Sequence, residues 1–289
     1  MRIVVTGATG FIGSYLVPYL AKRHDVFCLA RDPSRLPQHP NVTPVRGDLC
    51  TPEALAGLPQ EADAVVHLAQ ANAPFPEGAN ELFEVNALST QHLANYARKV
   101  GVAHFVYASS GSVYAPTAES LTEESLVRPQ GLYPLTKQVS EAILACYQPY
   151  FSTCILRLFA PYGPRQTGRM IPGVIGRVRA GQVVTLTNGG QPRINPVYIN
   201  DVLRLVPQAL ALNGHYLLNV AGPEVVSIED IATIAGRAMN AEAKFEQRTD
   251  VTRVNLIADT TRMRTTFHLP NMVTAQVGIR LTTEAMVRG

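Results

Sequence analysis

A tyrosine and a lysine four residues apart are the first candidates for chemistry in this sequence. Lys137 lies in the stretch Pro134–Cys146, which has helical patterning, and Tyr133 directly precedes that stretch. On a helix, residues i and i+4 share one face, so the phenol and the ammonium point toward the same spot. A nearby cation stabilises tyrosinate and lowers the pKa of a tyrosine from about 10. The pair therefore predicts a general base that works near neutral pH.

Small hydroxyl side chains follow a short apolar run upstream of this pair. The run His104–Ser109 predicts a buried strand, and Ser110 and Ser112 come after it. Open α/β sheets bind ligands at the carboxyl ends of their strands, which is where these hydroxyls would lie. A tyrosine and a lysine at this spacing often occur by chance. The serine-rich strand end favours catalysis over a surface pair.

A glycine-rich loop opens the chain. The strand-like run Ile3–Thr6 leads into Gly7, Gly10 and Gly13, and a helix-like stretch follows. The first glycine permits a tight turn, the second a close approach of the backbone to a pyrophosphate, and the third close packing of the helix. The helix N-terminus offers free N–H groups to phosphates. Because the triplet lies between a strand and a helix, it predicts dinucleotide binding rather than a structural turn.

The end of the second strand bears on which dinucleotide binds. An acidic residue there accepts hydrogen bonds from the ribose 2′-hydroxyl, whereas an arginine pairs with a 2′-phosphate. The usual acidic position holds Ala30, and Arg31 and Asp32 follow it. This order leans toward NADP. The alternative is that Arg31 is a surface residue and that Asp32 binds the ribose of NAD.

The elements that must position these groups alternate along the first half of the chain. Short apolar runs predict strands, and longer stretches at Ile12–Lys22, Asn80–Lys99 and Pro134–Cys146 predict helices. Strands that alternate with helices form right-handed crossovers and a parallel sheet with helices on both faces. We therefore predict an α/β fold with a Rossmann-type doubly wound parallel sheet and a smaller C-terminal substrate lobe.

The stretch Pro161–Pro196 is rich in glycine and proline, which suggests a change of domain at Pro161. We predict a dinucleotide-binding domain over residues 1–160, to which residues 197–221 return. Residues 161–196 and 222–289 are predicted to form the substrate-binding lobe. The last part of that lobe has a helix at Ile228–Met239 and then irregular polar sequence.

Composition and charge exclude several classes of protein. Of the 289 residues, 46% are hydrophobic and 16% are charged, which excludes a disordered chain. The net charge of +3 comes without a dense basic run, so we expect no nucleic-acid or membrane partner. The sequence shows no apolar stretch of about 18 residues and no leader pattern. The four cysteines lack C-x-x-C spacing, so we expect no metal site and interpret them as thiols in a reducing compartment. We therefore predict a cytoplasmic protein.

Taken together, the motifs make the chain resemble an extended short-chain dehydrogenase/reductase of the NAD-dependent epimerase/dehydratase family. They include the glycine-rich opening, Ser-Ser-x-x-Val-Tyr at 109–114, Tyr-x-x-x-Lys, and the segments that begin at Arg157 and Arg193. The resemblance implies that Tyr133 exchanges a proton with a sugar hydroxyl. It implies that Ser110 bonds the same oxygen and that Lys137 holds the nicotinamide ribose.

The resemblance also implies further binding residues. It places Asp48 on the adenine amino group, and Arg193 and Arg248 on the diphosphate of a nucleotide-linked sugar. Ser112 would join Ser110 at the substrate. Beside the three glycines and Arg31, the residues that it places at the cofactor are Thr9, Phe11, Ile12, Leu49, Leu68, Ala69 and Asn86.

Three functions stay open at this point. Dehydratases of the family carry an Asp-Glu pair where this chain has Gly111 and Ser112, so dehydration is disfavoured. We predict an NAD(P)-dependent nucleotide-sugar 4-epimerase. The alternative is an NADPH-dependent 4-ketoreductase, which Arg31 favours. A regulator that senses NADP without chemistry is a third reading, and the complete set of Ser, Tyr and Lys argues against it.

Members of the family often dimerise through two helices, which implies a homodimer built on Asn80–Lys99 and Pro134–Cys146. Both stretches carry more apolar residues than one buried face requires. These residues include Leu82, Phe83, Leu93, Tyr96, Ile143 and Leu144.

Overall fold

Two units make up the structure, a computed structural model that describes residues 1–187, 190–249 and 255–288. The first unit consists of Met1–Val113, Val127–Arg157 and Leu203–Leu218. The second unit consists of Tyr114–Leu126, Leu158–Val202 and Asn219–Gly289.

A seven-stranded sheet runs through the first unit. Its strands are β1 (Arg2–Thr6), β2 (Asp25–Ala30), β3 (Val42–Arg46), β4 (Ala64–His67), β5 (His104–Ser110), β6 (Ser152–Leu158) and β8 (His215–Val220). Their order in the sheet is β3-β2-β1-β4-β5-β6-β8. Strands β1 to β5 pair in parallel. The apolar runs of β1, β4 and β5 are nearly continuous because inner parallel strands are covered on both faces.

Helices accompany these strands, as the alternating pattern predicts. They are α1 (Phe11–Leu20), α2 (Ala79–Phe83), α3 (Ser89–Val100), α4 (Leu132–Cys146) and α6 (Ile199–Ala209). The core of the first unit includes Val4, Val65, Leu93, Phe105 and Leu144, all of them buried. The α/β, Rossmann-type prediction is confirmed. In the described part of the chain, no helix has the length and apolar character needed to cross a membrane.

The order of the strands determines where a ligand site can form. From β1 the chain moves outward to β2 and β3, and it then returns to β4 on the other side of β1. At such a reversal, the connections leave the carboxyl ends of β1 and β4 in opposite directions and open a crevice between them. The predicted glycine-rich loop begins at the carboxyl end of β1.

The predicted helix over Asn80–Lys99 is interrupted in the structure. A π-helical turn at Glu84–Leu88 separates α2 from α3. In this wider turn, the carbonyl of Asn86 accepts hydrogen bonds from the hydroxyls of Thr90 (2.8 Å) and Ser140 (2.5 Å). Apolar periodicity does not show such a turn, because the residues that stabilise it are polar and one of them belongs to α4.

The second unit contains the helices α5 (Met170–Arg179), α7 (Ile228–Met239), α8 (Thr261–Thr266) and α9 (Ala275–Arg288). Strands β7 (Val183–Thr187) and β9 (Lys244–Arg248) pair in parallel. The prediction of irregular sequence after α7 is wrong, because β9, α8 and α9 all follow it.

The composition of the buried face of α9 explains why the helix was missed. Its buried residues, at helical spacing, are Ala275, Gly278, Ile279, Thr282 and Thr283. Four of these five are small or carry a hydroxyl, so the apolar stripe that marks an amphipathic helix is absent. Both threonine hydroxyls donate to the carbonyl four residues earlier, at 2.7 and 2.8 Å, which makes their burial tolerable.

Candidate active site

The loop from Gly7 to Gly13 connects β1 to α1 and leaves no room for larger residues at either end. Gly7 has a φ of +67°, and a Cβ there would lie 2.6 Å from the backbone N of Ala69. A Cβ on Gly13 would lie 2.2 Å from the carbonyl oxygen of Gly7. Gly10 is the N-cap of α1 and provides no side-chain cap. The N–H groups of the first turn therefore have no intrahelical acceptor and suit a phosphate.

The other residues predicted around this loop gather at the same edge of the sheet. Thr9, Phe11 and Ile12 are half-buried within the loop and at the start of α1. Leu68 and Ala69 follow β4, and the N–H of Leu68 donates to the last carbonyl of β1 (3.2 Å). These five residues therefore lie where the strand order reverses. Their contact with a cofactor stays a prediction.

Two arginines lie at the carboxyl ends of β2 and β3. Arg31 follows β2 and is exposed, and Arg46 ends β3 in register with Ala30. Asp32 accepts hydrogen bonds from the hydroxyl and the N–H of Ser34, and these bonds lower the pKa of Asp32. The carboxylate that could bind a ribose already caps a turn, whereas neither guanidinium is in an ion pair with a described carboxylate. Sequence reasoning missed Arg46, because its nearness to Ala30 depends on strand register.

Asp48 and Leu49 lie in the turn after β3. The carboxylate of Asp48 accepts a hydrogen bond from the N–H of Cys50 (3.0 Å), and its carbonyl accepts one from the hydroxyl of Thr51 (3.0 Å). Leu49 belongs to the buried core of the first unit. The roles of Asp48 and Leu49 at the adenine and the cofactor stay predictions.

Tyr133 and Lys137 lie one turn apart at the start of α4. The Nζ atom of Lys137 is 6.0 Å from the ring centroid of Tyr133 and 4.9 Å from that of Tyr107 in β5. The same ammonium is fully buried and donates to the carbonyl of Ala108 (2.9 Å). Burial lowers the pKa of Lys137 to about 7, and the negative charge of Glu141 opposes that shift. The spacing thus brings a cation next to the tyrosine ring, as predicted.

Ser110 is the last residue of β5, two residues beyond the carbonyl that binds Lys137. Its Oγ lies 2.8 Å from the Oγ of Ser112, and it accepts a hydrogen bond from the N–H of Ser112 (3.2 Å). The neighbouring Ser109 is buried and donates to the carboxylate of Glu141. The hydroxyl that remains for a substrate at this strand end is therefore that of Ser110, with Ser112 beside it.

A buried ion pair lies behind the tyrosine and the lysine. Arg157 of β6 donates through Nε and Nη2 to the two carboxylate oxygens of Glu141, at 3.0 and 2.6 Å. Both side chains are at most 10% exposed, and bidentate pairs of this kind fix geometry strongly. Glu141 lies one turn after Lys137 on the same helix face. The pair therefore fixes the orientation of α4 within the first unit. Nothing in the sequence alone marked Glu141.

Gln70 is a further residue that sequence reasoning missed. The hydroxyl of Tyr133 donates to its Oε1 atom at 3.0 Å. Gln70 lies three residues after the end of β4, which is the neighbour of β5 in the sheet. A polar side chain just beyond the carboxyl end of a central strand is the signal that could have found it.

Asn86 was predicted to bind the cofactor, and its side chain is bonded to protein groups. Its Oδ1 accepts a hydrogen bond from the N–H of Ala71 (2.8 Å), and its Nδ2 donates to the carbonyl of Ala71 (3.3 Å) and to Oγ1 of Thr136 (3.1 Å). Asn86 is fully buried. It holds the loop after β4, and direct contact with a cofactor stays a prediction.

The second unit carries the two arginines predicted to hold a diphosphate. Arg193 is exposed, and its backbone N–H donates to the side chain of Asn255 (2.8 Å). Arg248 is exposed at the end of β9, in register with Thr187 of β7. Asp250, the other part of the motif around Arg248, lies outside the described residues.

Comparison with known proteins places the chain in a family. Residues 3–221 match the model of the NAD dependent epimerase/dehydratase family. The chain belongs to this family. It is an enzyme of the extended short-chain dehydrogenase/reductase type, and the family is NAD-dependent.

Two relatives and one solved structure illustrate the range of the family. The chain is 30% identical to a 3-beta-hydroxysteroid dehydrogenase from Mycolicibacterium neoaurum over 77% of its length and 66% of that protein. It is 30% identical to a dTDP-4-dehydro-6-deoxy-D-allose reductase from Streptomyces bikiniensis over 80% of its length and 78% of that protein. The structure of a UDP-glucose 4-epimerase from Thermus thermophilus in complex with NAD is 27% identical, covers 99% of both chains and has a TM-score of 0.82.

The first unit fits the dinucleotide that this family uses. The loop from Gly7 to Gly13 has no space for a Cβ at its two ends, and the N-terminus of α1 carries no side-chain cap. Both features are what a pyrophosphate needs in order to approach backbone N–H groups closely. The loop of this chain therefore has the space and the free N–H groups that a dinucleotide pyrophosphate would need.

Proposed function

We propose that the enzyme epimerises a nucleotide-linked sugar at C4, with Tyr133 as the general base. The observation that carries the proposal is that the buried ammonium of Lys137 lies beside the ring of Tyr133 and donates to a backbone carbonyl of β5, the strand that ends at Ser110. The two positions after Ser110 hold Gly111 and Ser112, which offer no acid and base for eliminating water. Oxidation and reduction at one carbon need only a proton carrier and a hydride carrier.

The chain's own residues would manage the proton and the charge. Tyr133 accepts the proton of the C4 hydroxyl while the C4 hydrogen leaves as hydride, and a C4 ketone forms. Ser110 donates a hydrogen bond to the same oxygen, and the charge of Lys137 favours tyrosinate. NAD(P) supplies the hydride acceptor and donor when it is bound. Once the keto-sugar had rotated in the site, Tyr133 would return the proton to the oxygen while hydride was delivered to the opposite face of C4.

The substrate class rests on the second unit. Arg193 and Arg248 offer two exposed guanidinium groups, and guanidinium geometry matches a diphosphate. The similar epimerase from Thermus thermophilus acts on UDP-glucose, which supports a nucleoside diphosphate sugar here. We infer that the dinucleotide domain comprises residues 1–160 with 197–221, and that 161–196 and 222–289 bind the sugar.

The experiment that tests this function begins with the cofactor state of the purified protein. Denaturation followed by mass spectrometry identifies any released dinucleotide, and NMR then follows a panel of UDP-, dTDP- and GDP-hexoses for C4 epimers. Stoichiometric NAD together with epimer formation is the expected result. A protein that binds neither dinucleotide, or that converts no nucleotide sugar with either cofactor, would contradict the proposal.

A 4-ketoreductase that uses NADPH is the second candidate, and the edge of the sheet at β2 and β3 favours it. Ala30 replaces the expected acid, and Arg31 and Arg46 flank that position. Two guanidinium groups next to the adenosine ribose would bind a 2′-phosphate. The similar enzyme from Streptomyces bikiniensis is itself a reductase. Oxidation of NADPH by a keto-sugar nucleotide, without epimer formation, would select this candidate.

The positions of Arg31 and Arg46 lead to a prediction about the preference for NADPH over NADH. Arg31→Ala and Arg46→Ala are each expected to weaken NADPH binding about 10- to 150-fold and to leave NADH binding unchanged, since a charge-assisted bond contributes about 1.5 to 3 kcal/mol. Titration calorimetry measures both affinities. Arg23→Ala is the matched control, because Arg23 is exposed just before the other end of β2. Equal losses for NADPH and NADH would contradict the assignment.

We infer a homodimer that works in the cytoplasm. Phe83 of α2 and Leu135 of α4 are 51% and 43% exposed and would lie in the subunit interface. Of the other apolar residues on which the prediction rested, Leu82, Leu93, Tyr96 and Leu144 are buried within the first unit itself. A monomer mass at all concentrations in sedimentation equilibrium would contradict the dimer.

The four cysteines are free thiols, in keeping with a reducing compartment and so with the cytoplasm.

A further inference from the structure

The hydroxyl of Tyr133 has a hydrogen-bond acceptor that the predicted set of Ser, Tyr and Lys does not include. It donates to Oε1 of Gln70 at 3.0 Å. That distance is typical of an O–H···O bond in proteins. Gln70 belongs to the loop after β4 and is exposed, so it lies at the open side of the site rather than in the core. The phenol proton that Tyr133 must exchange is therefore hydrogen-bonded to an amide oxygen.

The loop that carries Gln70 is attached to the helix that carries Tyr133. The buried amide of Asn86 bonds both backbone groups of Ala71, the residue after Gln70. The same amide donates to Oγ1 of Thr136, which in turn donates to the carbonyl of Tyr133 (2.8 Å). One buried side chain in the π-helical turn thus connects the two segments and holds the amide and the phenol within bonding distance.

The geometry points to Gln70 as a positioning residue for Tyr133: its amide oxygen holds the phenol proton in the resting site, and Asn86 fixes the loop that makes this possible. A primary amide has both an acceptor and donors. Gln70 accepts from the neutral phenol, and after a rotation of its amide it donates to tyrosinate. Both states of the tyrosine are then satisfied through a proton-transfer cycle. This inference rests on the proposed role of Tyr133 as the general base.

The charged and titratable neighbours of Tyr133 define the experiment. Lys137 faces it from α4, and Tyr107 of β5 lies beneath the same ammonium; Gln70 faces it from the loop without charge. The substitution Gln70→Glu keeps the shape of the side chain and replaces the amide by a carboxylate, which is negatively charged and cannot donate a hydrogen bond. It should move the ionisation midpoint of Tyr133 upward by about one pH unit or more, because a like charge disfavours tyrosinate.

Tyrosinate absorbance in the near ultraviolet reports this ionisation without a substrate, since the chain has 11 tyrosines and no tryptophan. The titration of Tyr133→Phe, subtracted from that of the parent protein, isolates the signal of Tyr133. The same subtraction applies to the pair Gln70→Glu and Gln70→Glu/Tyr133→Phe. Gln130→Glu is the matched control, because Gln130 is exposed three residues before Tyr133 and bonds the carbonyl of Arg128 instead.

The inference is supported if Gln70→Glu shifts the midpoint by at least twice as much as Gln130→Glu. It is overturned if the two shifts are equal or if neither variant moves the midpoint. Failure of the proposed function looks different. In that case Tyr133→Phe would convert nucleotide sugars as fast as the parent protein, whatever the titrations show.

Discussion

Tyr133→Phe is expected to reduce turnover by about 10²- to 10⁴-fold and to leave dinucleotide binding unchanged. The phenol is the group that carries the proton between the sugar oxygen and the enzyme, and removal of a positioned acid or base has this cost. The ring itself remains in the first turn of α4, so its packing above the ammonium of Lys137 is retained. Steady-state rates with the substrate from the NMR panel and calorimetry with NADH and NADPH measure the two quantities.

A second tyrosine provides the control for this substitution. Tyr150 is 59% exposed and follows the end of α4, away from the first turn of that helix. Tyr150→Phe should keep the parent rate within about twofold, since it removes one exposed hydroxyl without a role in the site. If Tyr133→Phe also kept its rate, the general base would be another group. If the protein bound dinucleotide but converted no substrate, with or without Tyr133, it would act as a regulator that senses NADP rather than as an enzyme.

Lys137→Met is expected to remove a pH dependence from the stability of the protein. Burial lowers the pKa of Lys137 to about 7 in the folded state, against an ordinary value of 10.5. Below about pH 7 the ammonium is charged in both states, and its burial costs about 5 kcal/mol relative to water. Between the two pKa values, the unfolded chain holds a proton that the folded chain has released. Stability must therefore rise with pH in that window.

The measurable part of this effect lies between about pH 7 and pH 8.5. Cysteine thiols of the unfolded chain, with a pKa of about 8.5, begin to titrate in the same range, but they do so equally in the parent protein and in Lys137→Met. Relative to Lys137→Met, the parent protein should gain about 1 to 2 kcal/mol in the free energy of unfolding there. Lys137→Met should lack this gain. Below about pH 7, where the parent ammonium is charged, Lys137→Met should also lose activity because tyrosinate loses its neighbouring cation. Urea unfolding of protein stripped of dinucleotide, at a series of pH values, measures the slope.

Lys99 offers the matched control for this substitution. It is an exposed lysine at the end of α3, so its ammonium is in water both before and after unfolding. Lys99→Met should therefore keep the parent slope. If the free energy of unfolding depended on pH in the same way in the parent protein and in Lys137→Met, the buried Lys137 would have its ordinary pKa, and the prediction would be wrong.

Local patterns were sufficient to predict most of the first unit. The strand-like run Ile3–Thr6, the glycines after it and the helix that follows lie within about 20 residues, and their pattern is set by backbone sterics and burial. The predicted helix Ile228–Met239 has the same bounds in the structure, because Ser227 and Asp230 form a capping box at its start. The π-helical turn and α9 escaped prediction because polar and small residues, not an apolar stripe, stabilise them.

The candidate site was predictable only where its residues are close in sequence. Tyr133 and Lys137 share a helix face by their spacing alone. The bond between Tyr133 and Gln70 joins residues that are 63 positions apart, and the one between Asn86 and Thr136 joins residues 50 apart. Such contacts depend on which strands are neighbours in the sheet. The pattern of one segment carries no information on that order.

The sequence by itself determined the α/β class, the loop that suits a pyrophosphate and the helix that carries the tyrosine and the lysine, because each depends on residues within a few turns of one another. The tertiary structure alone decided that Ser109 is bonded to Glu141, which leaves the predicted Ser110 as the available serine at this strand end. It also decided that Arg46 lies beside Ala30 and that Gln70 meets the phenol. These outcomes follow from strand order and register, which form only when the whole sheet assembles.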